Sequence, residues 1–569
     1  MGQNGSSLLQ TPIIHNWIMG REPDVTYDAE KSTKFGDIRG KKFHFDGYDV
    51  EAYLGVPYAR CGVFKDRFQK PVRIPKWTNT ADCTKFGPRS IQQDMVWDYY
   101  LTPVPQSEAD CLNMNIFVPT DEIQENKTPN GRPVMVFVHG GGYLIHSAAN
   151  YGDRQICRNM CKRGVIVCVI QYRLGLLGFL STGTKECPGN FGLFDQKMAF
   201  EWVKDNIGEF GGNPNNITAV GQSAGAASID LLSISPKCEG LIQKVVLMGG
   251  NAASDWAVVP WQKTVAAAEV VARRGGWKGD SGDHSDLLTY FRNQPAVKCR
   301  GAIFGKSAFD RRKKGLDFCP VIDGDFLPES IDELRKKAKP IQVIIGTTDY
   351  EALLFVALGR AQSDMISLEK QLAVQIPETL PEAEELREEA RGIYLRDVDS
   401  RNKVDVAKAF VRMYSDTLMN NSTIRYVEHM SKAGHTVYLY NLTYHNPASF
   451  GVFAFRMPFV APTHCYDIRY LFGKGMFSKF RPDSNDLKML DLMTKMWSNF
   501  SNSGNPNLDQ ENETWHKIDP QNPFKHLELC LEPEEKDHYQ GRRAEFWRKV
   551  ELKIEAFEKK RQELTFPLD

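Results

Sequence analysis

Two runs, residues 133–139 (PVMVFVH) and 165–171 (VIVCVIQ), are apolar and β-branched without polar alternation, which predicts strands buried on both faces. Between residues 35 and 56 short polar and apolar alternations surround Gly40 and Gly47, the pattern of hairpin strands. Phe200, Val203, Ile207 and Phe210 recur at spacings of three and four, so residues 195–210 predict an amphipathic helix that ends at Gly211-Gly212. A short strand at 217–220 leads into Ser223, and the small residues 224–228 suit a tightly packed helix. Further strands are predicted at 244–248, 341–345 and 436–440. Strands that alternate with helices imply an α/β fold with a large, mostly parallel central sheet flanked by helices.

Residues 367–421 are helix-rich, with Leu380-Pro381 and its acidic run as a solvated start, and are expected to form part of a helical lid over the sheet. Phe546, Val550, Ile554 and Phe557 form a helical stripe near the C-terminus. It predicts a helix docked on its own domain or on a second copy, so monomer and homodimer both stand. No internal repeat or linker divides the chain. The expected organisation is a flexible segment, 1–30, followed by a single domain, 31–569.

Composition removes several classes of function. Lys plus Arg and Asp plus Glu both total 71, leaving no basic excess to draw the chain onto nucleic acid. The longest apolar run, 164–180, carries Gln171 and Arg173 and is broken by Gly175 and Gly178, so no transmembrane segment is expected. The first residues lack the basic and apolar regions of a secretory leader, which predicts a cytoplasmic protein. They instead match the acceptor pattern for N-myristoylation at Gly2, and a single acyl chain gives only weak, reversible membrane attachment. The twelve cysteines are irregularly spaced and read as buried free thiols. No motif calls for a metal or a cofactor.

The chemistry begins at Gly221-Gln222-Ser223-Ala224-Gly225, a G-x-S-x-G nucleophile elbow whose glycines let the backbone turn sharply enough to expose the hydroxyl. About 0.25 such patterns arise by chance in a chain of this length, so the motif needs its context. That context is the strand, turn and helix around it, and a second motif about eighty residues upstream. His139-Gly140-Gly141-Gly142-Tyr143 follows the strand at 133–139, where backbone N–H groups without an obstructing Cβ can face a substrate oxyanion. A nucleophilic serine also needs a base and an orienting carboxylate. The twelve histidines and 71 acids leave that choice open on composition alone. Position narrows it: Glu351 follows the strand at 341–345 in GTTDYE and His464 lies in APTHCYD, so both could sit at strand ends beside the elbow.

Taken together these stretches resemble the type-B carboxylesterase family, which includes cholinesterases and juvenile hormone esterases. The resemblance covers nearly all of the chain. It runs through Gly55-Val56-Pro57-Tyr58-Ala59, Arg67-Phe68, Glu108-Ala109-Asp110-Cys111-Leu112, the HGGGY loop and Tyr172-Arg173-Leu174-Gly175. It continues through Gly192-Leu193-Phe194-Asp195-Gln196, residues 206–213, the elbow, Pro320-Val321-Ile322-Asp323-Gly324 and residues 464–473. It implies the α/β-hydrolase fold and hydrolysis of small-molecule carboxylic esters through an acyl-enzyme. It further implies Ser223 as nucleophile, Glu351 as acid, His464 as base, and the N–H groups of Gly141, Gly142 and Ala224 as the oxyanion hole. Trp256 resembles an acyl-pocket residue, though a core tryptophan fits equally well. A lipid or amide hydrolase on the same site, and a non-catalytic adhesion or scaffold member, are the alternatives.

The departures matter too. Extracellular relatives pair the position of Cys111 with a cysteine shortly after Gly87-Pro88, where this chain has Arg89-Ser90, so Cys111 lacks its usual partner. Gln222 replaces the glutamate that precedes the serine in cholinesterases, and a neutral amide attracts cationic esters less. Cys465 stands where a glycine commonly follows the histidine.

Overall fold

The computed structural model describes residues 24–94, 104–300, 316–475, 480–509 and 511–565. Among these residues a thirteen-stranded sheet forms the centre of the molecule. Its strands are β1 (Asp24–Thr33), β2 (Gly36–Phe45), β3 (Tyr48–Pro57), β4 (Asn113–Pro119), β5 (Arg132–Val138), β6 (Ile166–Ile170), β7 (Gly212–Gln222), β8 (Lys244–Met248), β9 (Gln342–Thr348), β10 (Thr436–Leu442), β11 (His526–Leu529) and β12 (Glu534–Lys536). They lie in the order β1-β2-β3-β4-β6-β5-β7-β8-β9-β10-β11-β12, and the two-residue strand Ala81–Asp82 pairs with β2. The run from β6 to β11 is parallel, while β1 to β4 and the last pair are antiparallel.

The unbroken apolar character of the central strands follows from burial on both sides. Along β5, Val134, Val136 and Val138 face one core cluster while Met135 and Phe137 face the other, all fully buried. Each such side chain contributes about 1.5–3 kcal/mol, so the sheet needs the helices on both faces. Helix α1 (Phe191–Asn206) continues as a 3-10 turn, Ile207–Phe210, and stops where Gly211 adopts a left-handed conformation. Helix α2 (Ala224–Ile234) starts immediately after Ser223, and its small residues let it press onto the sheet. Helices α3 (Met365–Gln375), α4 (Ala383–Leu395) and α5 (Lys403–Ser415) lead through a π-turn, Asp416–Asn420, into α6 (Asn421–Lys432). The C-terminal helix α7 (Arg543–Thr565) docks on its own domain: Arg543 Nε donates to Asp416 Oδ2 at 2.8 Å and Trp547 Nε1 to Tyr394 Oη at 2.7 Å.

Within the described residues β1 runs along β2 from Asp24↔His44 to Thr33↔Gly36, so residues 24–30 of the segment expected to be flexible are paired in the sheet. One expectation is corrected. The strand before the elbow starts at Gly212 rather than at residue 217: Gly212 pairs with Arg132, and the polar turn Asn213-Pro214-Asn215 is absorbed as a register shift. Gly2 lies outside the described residues.

Candidate active site

The carboxyl ends of the parallel strands gather the candidate residues, as expected for a sheet of this topology. Gln222 ends β7 opposite Met248, the last residue of β8, and Met248 in turn pairs with Gly346 of β9. Ser223 leaves the strand with φ 58° and ψ −126°, a conformation costly for a residue with a Cβ and held here by its N–H, which donates to Met248 O at 2.8 Å. The serine is 8% exposed.

His464 and Glu351, far apart in sequence, meet directly: His464 Nδ1 lies 2.5 Å from Glu351 Oε2. The other carboxylate oxygen, Oε1, accepts from the Thr348 N–H at 2.7 Å and the Thr348 hydroxyl at 3.1 Å. Both donors come from the end of β9, so the acid is anchored to the sheet. The second ring nitrogen, His464 Nε2, lies 3.3 Å from the amide nitrogen of Gln222. Gly249 completes the packing with φ 59°, and a Cβ there would stand 3.2 Å from His464 Nδ1 and 3.3 Å from Glu351 Oε1. Phe355 packs against the imidazole with ring centroids 5.3 Å apart. Burial alone would favour a neutral ring, but Cys465 and the Glu351 carboxylate outweigh it and hold the His464 imidazole well above the usual histidine range.

The glycine loop after β5 is fixed from behind. Burial pushes the His139 imidazole down to about 3, its neutral Nδ1–H donates to Gly140 O at 2.9 Å, and the Tyr172 hydroxyl donates to His139 O at 2.8 Å. Gly141 has φ 103°, and a Cβ there would stand 2.3 Å from Ile145 O. The N–H groups of Gly141, Gly142 and Ala224 have no acceptor among the described residues, which leaves three donors beside the serine for an incoming oxygen. Trp256 is 9% exposed, and its indole N–H donates to Leu418 O at 3.1 Å, so its ring is fixed between the segment after β8 and the π-turn.

Three neighbours were not foreseen from the sequence. Thr348 carries no motif signal, Leu316 approaches Gly142 from a distant loop, and Asp467 is buried behind the acid. Tyr440 Oη donates to Asp467 Oδ2 at 3.1 Å and the Ile468 N–H to Oδ1 at 3.0 Å. Burial, reinforced by the Glu351 charge, pushes the Asp467 carboxyl up to about 7 from an ordinary 3.8. The native state therefore keeps a proton that the unfolded chain releases near pH 4. This carboxyl's contribution to stability is fully present below about pH 4, is lost as pH rises to about 7 and is level above it, the change being on the order of 4 kcal/mol. Asp467→Asn is expected to remove that fall, measured by denaturant unfolding across this range; an unchanged pH dependence contradicts the assignment.

A sequence profile of the carboxylesterase family matches residues 28–547. The chain is 35% identical to esterase cest-33 of Caenorhabditis elegans, over 93% of this chain and 95% of the relative. It is 30% identical to the bile salt-activated lipase of Rattus norvegicus, over 84% and 77% of the two chains, and 27% identical to neuroligin-3 of Mus musculus, over 91% and 68%. No helix among the described residues is long and apolar enough to cross a membrane.

Proposed function

The chain belongs to the carboxylesterase family and is a serine hydrolase of carboxylic esters, and on that premise we propose which residues carry the reaction. Ser223 attacks the ester carbonyl, His464 takes its proton and delivers it to the departing alcohol, and water then releases the acid by the same route in reverse. Glu351 holds the imidazole in the tautomer that leaves Nε2 free to accept, and the N–H groups of Gly141, Gly142 and Ala224 receive the oxyanion. The observation that carries this reading is the buried His464–Glu351 pair beside a strained serine and three unclaimed donors.

A fluorophosphonate probe tests it. Ser223 is expected to be the labelled residue, identified by peptide mass, and prior His464→Ala substitution is expected to suppress labelling. A non-catalytic scaffold, or a nucleophile elsewhere, gives no adduct at Ser223.

Gln222 offers no charge to a cationic ester, which favours neutral substrates. The alternative reading is a lipid or amide hydrolase on the same site, and a screen across acyl and alcohol chain lengths, run with and without Ser223→Ala, separates the two. We carry two further readings to experiment: a cytoplasmic setting, supported by twelve unpaired thiols, and acylation of Gly2, read by metabolic labelling with an alkynyl myristate.

A further inference from the structure

The cysteine that lacks its usual partner has acquired another neighbour. Two clamps hold residues 58–67 against residues 108–112. At one end the Tyr58 N–H donates to Leu112 O at 3.1 Å. At the other the Arg67 guanidinium grips both oxygens of Glu108, with Nη2 to Oε2 at 2.7 Å and Nε to Oε1. Cys61 and Cys111 lie between these clamps, and both thiols point at one carbonyl. Cys61 Sγ donates to Glu108 O at 2.8 Å and Cys111 Sγ donates to the same oxygen at 3.6 Å. Two sulfurs that converge on one acceptor from facing segments are placed to bond to each other.

The geometry points to Cys61 and Cys111 as a thiol pair that peroxide oxidises to an intramolecular disulfide.

The two thiols are not equivalent, and the difference sets the order of events. Cys61 is 9% exposed and Cys111 1%. The Cys61 thiol is held below its ordinary value, chiefly by its contact with the Cys111 sulfur and then by the Arg173 guanidinium, against burial. Cys111 is pushed well above its ordinary value by the same contact and by burial. Cys61 is therefore the nucleophile. Its thiolate attacks one oxygen of hydrogen peroxide, the O–O bond breaks, and after protonation the products are Cys61 sulfenic acid and water. The Cys111 sulfur then attacks the Cys61 sulfur, the S–O bond breaks, and the hydroxide leaves with the Cys111 proton as a second water. Two thiols lose two electrons in all, and one peroxide is reduced to two waters. Cys157 and Cys161 form the internal contrast: they stand one helical turn apart, both fully buried, and burial raises Cys157 well above the ordinary range. The inference is independent of the catalytic assignment, since neither cysteine touches Ser223, Glu351 or His464.

The full-length protein is treated with hydrogen peroxide, unfolded with an alkylating maleimide present, and digested without reductant. The expected product is a linked peptide carrying Cys61 and Cys111, with Cys157 and Cys161 still alkylated. In Cys111→Ser the intermediate has no resolving partner, so dimedone is expected to trap about tenfold more sulfenic acid at Cys61 than in the wild type. The oxidised wild type is expected to melt roughly 3 °C higher, because the bond closes the loop between residues 61 and 111. The idea fails if Cys61 and Cys111 both remain alkylated at a peroxide dose that oxidises the more exposed Cys530. It also fails if Cys61 sulfenic acid accumulates equally in the wild type and in Cys111→Ser. The wild-type peptide map decides the matter even if a variant folds poorly.

Discussion

Ser223→Ala lowers kcat/KM for a small aryl ester by about 10⁵-fold or more, a loss of roughly 7 kcal/mol of transition-state stabilisation. Alanine fits the turn at Ser223 as well as serine does, because the strain there resides in the backbone, φ 58° and ψ −126°, which a Cβ of either residue shares. The Met248 carbonyl keeps its N–H donor, and the three unclaimed N–H groups at Gly141, Gly142 and Ala224 stay where they are. The variant should therefore bind ester and keep its melting temperature while losing the covalent route. Some turnover above the uncatalysed reaction remains, since the oxyanion donors still act on a directly attacking water. The measurement is steady-state hydrolysis on protein freed of wild-type carry-over, with circular dichroism as the folding control. Activity within tenfold of the wild type would remove Ser223 from the mechanism.

Glu351→Gln is expected to cost about 10⁴-fold in kcat with little change in KM. The side chain is wholly buried and touches the imidazole, so its loss acts on the base rather than on ester binding. A glutamine amide keeps the size of the group but carries no charge to balance the imidazolium that forms as Ser223 loses its proton. Its carbonyl oxygen can face either His464 Nδ1 or the Thr348 donors. With its oxygen toward the two Thr348 donors, its NH₂ meets His464 Nδ1 and forces the ring into the tautomer with Nε2 protonated; with its oxygen toward Nδ1, its NH₂ meets the Thr348 N–H instead. Thr348→Val probes the same anchor more gently: the backbone N–H to Oε1 remains while the hydroxyl contact is lost. A kcat for Glu351→Gln close to wild type would mean that another carboxylate orients His464.

The glycine motifs were legible because their chemistry demands a particular backbone: only glycine tolerates Gly141 at φ 103° with Ile145 O so close. The central strands were legible because burial on both faces erases polar alternation, as in β5. Strand β4 was not, since Asn113-Met114-Asn115 opens a fully buried strand with amides whose partners lie elsewhere in the fold: Asn113 Nδ2 donates to Pro88 O and Asn115 Oδ1 accepts from the Gly55 N–H. The acid and the base could be placed at strand ends, but singling them out among many candidates needed family resemblance. Thr348, Leu316 and Asp467 stayed invisible because their significance is wholly three-dimensional. The Cys61–Cys111 approach was hidden for the same reason: fifty residues separate the two segments, and only the clamps at Tyr58–Leu112 and Arg67–Glu108 bring them together.

The strand order assigns the site a late place in the folding reaction. Ser223 follows β7, Glu351 follows β9 and His464 follows β10, so the three side chains converge only after strands drawn from more than two hundred residues of chain have paired. Closing such long loops is slow and yields no partial reward, because a serine without its imidazole has no useful nucleophilicity. Recovered hydrolysis after dilution from denaturant thus lags the return of helical signal, and turnover serves as a clock for the last cooperative step of assembly.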